Sequence, residues 1–132
     1  EQLKKLPKDL ETRLSVRARY VERLAGMERI AVPFADNTEF VSNYIFPIVI
    51  LNSTREQRDA LREFMHAEGI QTSVHYPAAH KFSTYRELGT VLPQTEYVTE
   101  NEVTLPMYAA LTLEQVDFIC DTLKCGLKEI YG

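Results

Sequence analysis

Cysteine and glycine are scarce in this 132-residue sequence, and their scarcity excludes several kinds of site. The two cysteines, Cys120 and Cys125, are five residues apart, a spacing that gives neither a disulfide framework nor a zinc knuckle. Five glycines are too few to conceal a glycine-rich phosphate loop, and there is no G-x-S-x-G motif. Because two thiols without a disulfide framework favour a reducing compartment, we expect a cytoplasmic protein.

Positive charge and long apolar runs are also lacking. The formal net charge is -4, which argues against broad nucleic-acid binding, since that needs a basic face. No apolar run approaches the roughly 18 residues of a membrane span, and the first residues show no signal peptide. We therefore expect no nucleic-acid partner and no membrane partner. Because residue 1 is glutamate, we also expect an excised piece of a longer protein.

Arginines nevertheless cluster near the start of the chain. Acidic residues are interleaved with them, which indicates a solvated or subunit-facing helix surface rather than a nucleic-acid site. The arginines are Arg13, Arg17, Arg19, Arg23 and Arg29.

The hydrophobic residues that are present are spaced regularly, as in a folded domain. The sequence is 45% hydrophobic and 26% charged, the usual range for a single soluble domain. Helical spacing predicts a helix over residues 8–25, in which Pro7 suits the first turn and Gly26 the C-terminal cap. Its apolar stripe comprises Leu10, Leu14, Val21 and Leu24.

Two further helices are predicted by capping boxes, in which a threonine and a glutamine three residues later satisfy free backbone N–H groups. Thr54 with Gln57 begins one helix, and Thr112 with Gln115 begins the other. The stripe of the first helix comprises Leu61, Phe64 and Met65, before Gly69 ends it. The stripe of the second comprises Val116, Ile119, Leu123, Leu127 and Ile130.

Residues 44–51, YIFPIVIL, form the strongest predicted strand, because aromatic and β-branched residues favour strands. Pro47 has no N–H to donate, so we expect this strand to lie at a sheet edge or to carry a bulge. Residues 70–76 alternate in polarity and predict a second strand, with shorter strands at 30–33 and 104–107. This order of elements predicts an α+β two-layer domain with helices over a small sheet.

The segment 69–85, GIQTSVHYPAAHKFSTY, carries the residues most suited to chemistry. His75 and Tyr76 end the predicted strand, and His80 and Lys81 follow in a loop, where a rigid strand presents exposed groups. The segment has no Cys, Asp or Glu to complete a metal site, so we predict no metal. From the pattern alone, a surface histidine and a packed tyrosine are the more frequent explanation of His75 and Tyr76. Lys81, beside a polar loop, is expected to be exposed to solvent.

Polar residues outside this segment have ordinary explanations. His66 lies in the last turn of a predicted helix, where the helix dipole favours a positive charge. Glu100 and Glu102 flank Asn101, in a pattern that indicates a solvated helix end.

Four stretches together resemble the DegT/DnrJ/StrS-type aminotransferases, fold-type-I enzymes that use pyridoxal phosphate to aminate keto groups on nucleotide-linked sugars. They are QLKKL with the arginine-rich helix after it, YIFPIVI followed by REQRDALREFMHAEGI, GIQTSVHYPAAH, and LPMY followed by LTLEQVDFI. They occur in the order and spacing of that family, so the resemblance runs nearly end to end.

The resemblance implies that the chain is the C-terminal small domain of such an enzyme. In that family this domain has a small, mostly antiparallel sheet of three or four strands covered by helices. Residues 1–26 would form a long linker helix, and residues 27–132 the small domain itself. The large domain, which carries the Schiff-base lysine and the Asn-x-Arg segment for the cofactor phosphate, is absent. We therefore expect no catalytic residue and no bound cofactor in this fragment.

The resemblance also implies which residues face the substrate. His75, Tyr76 and His80 match the family's strand-end motif and are expected to line the cleft, with hydrogen bonds to the substrate or to the carboxylate of the amino donor. Tyr44 is a weaker candidate, and core packing is its alternative explanation. The intact enzyme is expected to be a homodimer that uses an amino acid, glutamate by expectation, for polysaccharide or antibiotic-sugar biosynthesis.

A stand-alone ligand-binding or regulatory module is the alternative function. Leu3, Leu6 and Leu10 distinguish the two hypotheses. In an independent module they should pack onto the sheet, whereas in an excised domain part of this stripe should be exposed where another domain or subunit was.

Overall fold

The computed structural model describes residues 2–132 and has an α+β fold. Helix α1 spans Gln2–Leu24, α2 Arg55–Ala67, α3 Pro93–Asn101 and α4 Leu113–Tyr131. Strands β1 (Ile30–Ala31), β2 (Phe46–Ile50) and β3 (Glu102–Leu105) form an antiparallel sheet in that order. Short 3₁₀ turns at Ala79–Lys81 and Arg86–Leu88 lie between α2 and α3. The predicted fold class is confirmed.

The hydrophobic core lies between the sheet and the long helices. Helix α4 packs against both α1 and α2, and α2 also contacts β3. Gly126 allows the close approach of α4 to α2, because a Cβ at this position would lie 2.7 Å from Leu61 Cδ1 and 2.8 Å from Phe64 Cδ1. Fully buried side chains come from every layer and include Tyr20, Ile48, Leu61, Val103 and Leu123.

Helix α1 differs from its prediction in its start and in its buried face. It begins at Gln2, not at residue 8, and Leu14, placed on the predicted stripe, is 57% exposed. Leu24 of that stripe is buried as predicted, and the other buried side chains, Tyr20 and Val16, precede it at four-residue intervals along one row of the helix. Both rows have helical spacing, so the side on which α4 packs decides which of them is buried.

The arginines of the first helix bind within the chain. Arg19 donates two hydrogen bonds of 2.8 Å to the two carboxylate oxygens of Asp117 on α4, and Arg23 donates to Asp121 on the same helix. Hydrogen bonds from Arg19 lower the pKa of Asp117 and correspondingly raise the pKa of Arg19. Arg19 and Arg23 therefore join α1 to α4 within the chain, while about a third of each side chain stays exposed.

Pro47 lies in β2, the middle strand of the sheet, but in the part of β2 that is paired on one side only. Strand β1 pairs only with Val49 and Ile50, whereas Pro47 pairs with Thr104 of β3. The Leu51 N–H donates a hydrogen bond to the Arg29 carbonyl, on the side of β2 that faces β1. Because backbone groups alternate sides along a strand, the nitrogen of Pro47 also faces the β1 side, beyond the end of β1. The expectation of an edge strand is wrong for β2 as a whole. At Pro47, however, the side of β2 that would need an N–H donor has no partner strand, which is the condition that a proline in a strand requires.

The predicted strand over residues 70–76 is reduced to a single bridge. Ser73 and Thr104 exchange backbone hydrogen bonds of 2.8 and 3.2 Å, which attaches this segment to the outer edge of β3. Ile70 is buried, but the following side chains are at most half-buried. Arg62 of α2 donates to the Thr72 hydroxyl and carbonyl, so side-chain contacts replace part of the ladder.

The two later helices begin as the sequence predicts. Both capping boxes are present, with Thr54 and Gln57 at α2 and Thr112 and Gln115 at α4. Gly69 follows α2 with a positive φ of 80°, which suits glycine. Among the described residues, no helix has the combination of length and apolar character needed to cross a membrane.

Candidate functional site

His75 and Tyr76 lie directly after the bridge to β3, at the edge of the sheet. The Tyr76 side chain is 67% exposed. The His75 ring is half-buried and meets the Tyr76 ring edge to face, with 4.9 Å between centroids. An imidazole and a phenol therefore lie side by side, and the alternative explanation of Tyr76 as a packed core residue is excluded.

Hydrogen bonds to Ser73, Glu102 and Thr104 hold His75 in place. Its backbone N–H donates to Glu102 Oε2 at 3.0 Å. Its ring nitrogen Nδ1 lies 3.0 Å from Thr104 Oγ1 and 3.2 Å from Ser73 Oγ. The Thr104 hydroxyl in turn donates to Glu102 Oε1. One carboxylate thus fixes both the backbone of His75 and, through Thr104, its ring.

Glu102 corrects the prediction of a solvated helix end. The residue is only 3% exposed because α3 ends at Asn101 and Glu102 begins β3, where it pairs with Val49. The neighbouring Arg58 is 4% exposed, and its guanidinium donates a hydrogen bond of 2.9 Å to the backbone carbonyl of Glu102. The strand predicted at 104–107 is observed at Glu102–Leu105, and the sequence pattern did not indicate that Glu102 is buried in it.

His80 and Lys81 turn towards α3 and share one carboxylate. His80 Nε2 is 3.1 Å from Glu96 Oε1, and Lys81 Nζ is 2.7 Å from Glu96 Oε2. Hydrogen bonds from Lys81, His80 and the Leu92 N–H together lower the pKa of Glu96 to about 2. The structure thus brings His75 and Tyr76 together, whereas the His80 ring binds an acidic residue that sequence reasoning missed.

Tyr44 lies in a different part of the surface, in the connection that precedes β2. Its side chain is 60% exposed, so core packing is not its role. It lines a largely apolar hollow of about 520 Å³, together with Phe34, Val41 and Ile45. Arg17 borders this hollow and donates to the Phe34 carbonyl at 2.5 Å.

The lysines of this chain lie at its surface. A lysine that forms a Schiff base needs a desolvated pocket that lowers the pKa of its amine. All six lysines are exposed, and Lys81, the one nearest the candidate residues in sequence, is held by Glu96. Within residues 2–132, no group of three His, Cys, Asp or Glu residues could hold a metal ion.

Cysteine chemistry is equally unsupported by the geometry. Cys120 is buried in α4, and burial raises the pKa of its thiol to about 11, so the reactive thiolate is disfavoured. Cys125 is exposed on the same helix, and both cysteines are free thiols.

The leucines that distinguish the two functional hypotheses are mostly exposed. Leu3 is 82% exposed and Leu6 is 46% exposed, while Leu10 is half-buried. Leu14 adds a further exposed apolar side chain to the same helix. This outcome is the one expected of a domain whose first helix packs against something else, and it disfavours the stand-alone module.

Curated proteins similar to this chain are nucleotide-sugar transaminases. A UDP-4-amino-4,6-dideoxy-N-acetyl-beta-L-altrosamine transaminase of Campylobacter jejuni is 26% identical over 98% of this chain and 35% of its own length. A dTDP-4-dehydro-2,3,6-trideoxy-D-glucose 4-aminotransferase of Saccharopolyspora spinosa is 30% identical over 91% of this chain and 30% of its own length. The chain therefore spans about a third of the length of these relatives.

Solved structures show the same relationship. A putative sugar aminotransferase from Streptococcus pneumoniae, in its PMP form, superposes with a TM-score of 0.88 and 30% identity, over 98% of this chain and 33% of its own. A Helicobacter pylori aminotransferase involved in the biosynthesis of pseudoaminic acid superposes with a TM-score of 0.89 and 25% identity, over 97% of this chain and 35% of its own. The sequence model of the DegT/DnrJ/EryC1/StrS aminotransferase family matches residues 1–124. The chain therefore belongs to the DegT/DnrJ/EryC1/StrS aminotransferase family.

Proposed function

We propose that this chain is the C-terminal small domain of a pyridoxal-phosphate-dependent aminotransferase that acts on a nucleotide-linked sugar. The observation that carries the proposal is the match in extent: nearly the whole chain corresponds to about a third of sugar aminotransferases from several bacteria. The enzyme transfers an amino group from an amino acid, glutamate by expectation, to a keto group of the sugar. Its location is the cytoplasm and its product enters polysaccharide or antibiotic-sugar biosynthesis.

The domain contributes a wall of the substrate cleft and does not catalyse the reaction alone. Pyridoxal phosphate, when bound to the enzyme, supplies the electron sink for amino-group transfer. The exposed lysines of this chain support a cofactor linkage located elsewhere, in the large domain. The exposed leucines of α1 support a contact with that domain or with the second subunit of a homodimer.

Tyr76 and His75 are the strongest candidates for contact with the substrate. Tyr76 exposes a phenol that can donate or accept a hydrogen bond, and His75 lies against it on a rigid support. His80 ranks third, because its Nε2 is already bonded to Glu96. Tyr44 is a weaker candidate whose exposed ring borders the apolar hollow near β2.

Steady-state kinetics of the intact enzyme with a keto-sugar nucleotide and glutamate test this proposal. Loss of one hydrogen bond to the substrate should lower kcat/KM roughly tenfold in Tyr76→Phe and His75→Ala, which corresponds to about 1.4 kcal/mol. Cofactor uptake, followed by absorbance, should be unchanged. Tyr97→Phe, at a partly exposed tyrosine of α3, is the matched control. Kinetics of Tyr76→Phe and His75→Ala equal to those of the control would exclude this part of the surface from the cleft.

A further inference from the structure

We propose that Thr104 and Glu102 are positioning residues that hold the neutral His75 ring in the tautomer with its proton on Nδ1. Nε2 is then an acceptor that faces outward. The tautomer follows from the hydrogen-bond network around an ionised Glu102 carboxylate; only the ligand assigned to Nε2 rests on the proposed function.

The assignment begins at the buried carboxylate of Glu102. An ionised carboxylate accepts hydrogen bonds and has none to donate. Glu102 Oε2 accepts the backbone N–H of His75 at 3.0 Å, and Oε1 accepts from the Thr104 hydroxyl. A hydroxyl has one hydrogen, so Thr104 has no further donor to offer.

The Thr104 oxygen can therefore only accept from its other neighbour. That neighbour is His75 Nδ1, 3.0 Å away. A bare Nδ1 would set its lone pair against that of Thr104 Oγ1, whereas Nδ1–H donates to it. The Ser73 hydroxyl, 3.2 Å from Nδ1, can turn its own hydrogen away and accept as well. The chain of donors thus runs from Nδ1 through Thr104 to Glu102, and it places the ring proton inside the protein.

The other ring nitrogen is left open. Nε2 of His75 makes no hydrogen bond to any described residue. It is also not among the polar atoms that are buried without a partner, so solvent or a ligand can reach it. In the Nδ1–H tautomer this open nitrogen carries a lone pair. It therefore binds a ligand group that donates, such as a sugar hydroxyl, and disfavours the carboxylate of the amino donor, which can only accept.

His80 provides an internal reference with the opposite tautomer. Its Nε2 lies 3.1 Å from a carboxylate oxygen of Glu96, so Nε2 must carry the proton. The same protein should therefore show an Nδ1–H histidine and an Nε2–H histidine at once.

Two-bond ¹H–¹⁵N correlation spectra of the ¹⁵N-histidine-labelled chain distinguish the two tautomers. The spectra are recorded at about pH 8.5, well above the imidazole pKa of about 6.5 in model peptides. The sequence has three histidines, so single substitutions of His66 and His80 assign the signals. We expect the Nδ1–H pattern for His75 and the Nε2–H pattern for His80. An Nε2–H pattern for His75 in the unsubstituted chain overturns the proposal, whatever the function of the protein.

Variants of Thr104 separate positioning from general packing. Thr104→Val keeps the shape but removes the hydroxyl, and should release His75 to a mixture of tautomers. Thr104→Ser retains the hydroxyl and should retain the Nδ1–H pattern. Thr122→Val removes the hydroxyl of a buried threonine of α4, outside the network, and is the matched control. If Thr104→Val and Thr122→Val both leave the His75 signals unchanged, Thr104 does not position the ring. The spectrum of the unsubstituted chain decides the tautomer even if Thr104→Val does not fold.

Discussion

The pairing of α1 with α4 and the connecting segment 76–92 are held by opposite means. The helix pair buries Val16, Tyr20 and Leu24 and adds ion pairs at its rim. In residues 76–92, by contrast, Ala78 is the buried side chain, His80 is half-buried and the others are exposed. The segment is tied to α3 through the carboxylate of Glu96. The difference teaches that apolar burial fixes the scaffold, while a few polar contacts fix the loop beside the candidate site.

Substitution of Tyr20 should have the largest effect, because this residue belongs to the apolar region. Tyr20 is fully buried and stacks on Phe46 with 4.6 Å between ring centroids. Its hydroxyl donates a hydrogen bond of 2.9 Å to the Pro106 carbonyl. Tyr20→Ala should lower the free energy of unfolding by about 3–5 kcal/mol, measured by urea denaturation. Tyr20→Phe removes only the hydrogen bond and should cost about 1 kcal/mol. Equal effects of the two variants would show that packing at Tyr20 contributes little.

The connecting segment should respond to acid, because Glu96 holds it. The pKa of Glu96 is lowered from 4.5 to about 2, so its contacts with Lys81 and His80 stabilise the segment above about pH 4.5. That contribution is lost as the pH falls from about 4.5 towards 2, when the carboxylate becomes protonated. Hydrogen-exchange protection of residues 76–92, taken relative to the intrinsic exchange rate at each pH, should therefore decrease in this range.

A Glu96→Gln variant sharpens the same prediction. Glutamine keeps the shape of the side chain but removes its charge, so residues 76–92 should exchange rapidly at pH 7 and show no further acid transition between pH 4.5 and 2. Glu100→Gln, at an exposed position on the same helix, is the control and should retain the transition. An unchanged transition in Glu96→Gln would assign it to another group.

The ion pair between Arg19 and Asp117 should have the smallest effect, although it has bidentate geometry. Both side chains are about a third exposed, so water and salt screen their attraction. A double-mutant cycle of Arg19→Met and Asp117→Asn should give a small coupling that shrinks further in high salt. A coupling as large as the effect of Tyr20→Ala would contradict the view that apolar burial dominates this region.

The elements with regular spacing or a defined cap could be predicted from the sequence. Thr54 with Gln57 marks the start of α2, and the run 44–51 contains β2, because these signals are local. The choice between Leu14 and Val16 as the buried side of α1 could not be predicted, since both rows are helical and tertiary packing decides.

The candidate site could be predicted only in part. His75 and Tyr76 stood out as a strand-end pair, and the structure places them together at the sheet edge. Glu102 and Thr104, which support His75, are 27 and 29 residues away in sequence, and no local pattern links them to it. Polar partners that strand pairing brings together cannot be identified from the sequence until the pairing is known.

The central claim is that this domain supplies a cleft wall while the cofactor is attached outside it. Borohydride reduction of the intact enzyme with pyridoxal phosphate, followed by peptide mass spectrometry, locates the lysine that carries the cofactor. We expect stoichiometric labelling of a lysine outside residues 1–132. Stoichiometric labelling of one of the six lysines of this chain, Lys4, Lys5, Lys8, Lys81, Lys124 or Lys128, would contradict the claim.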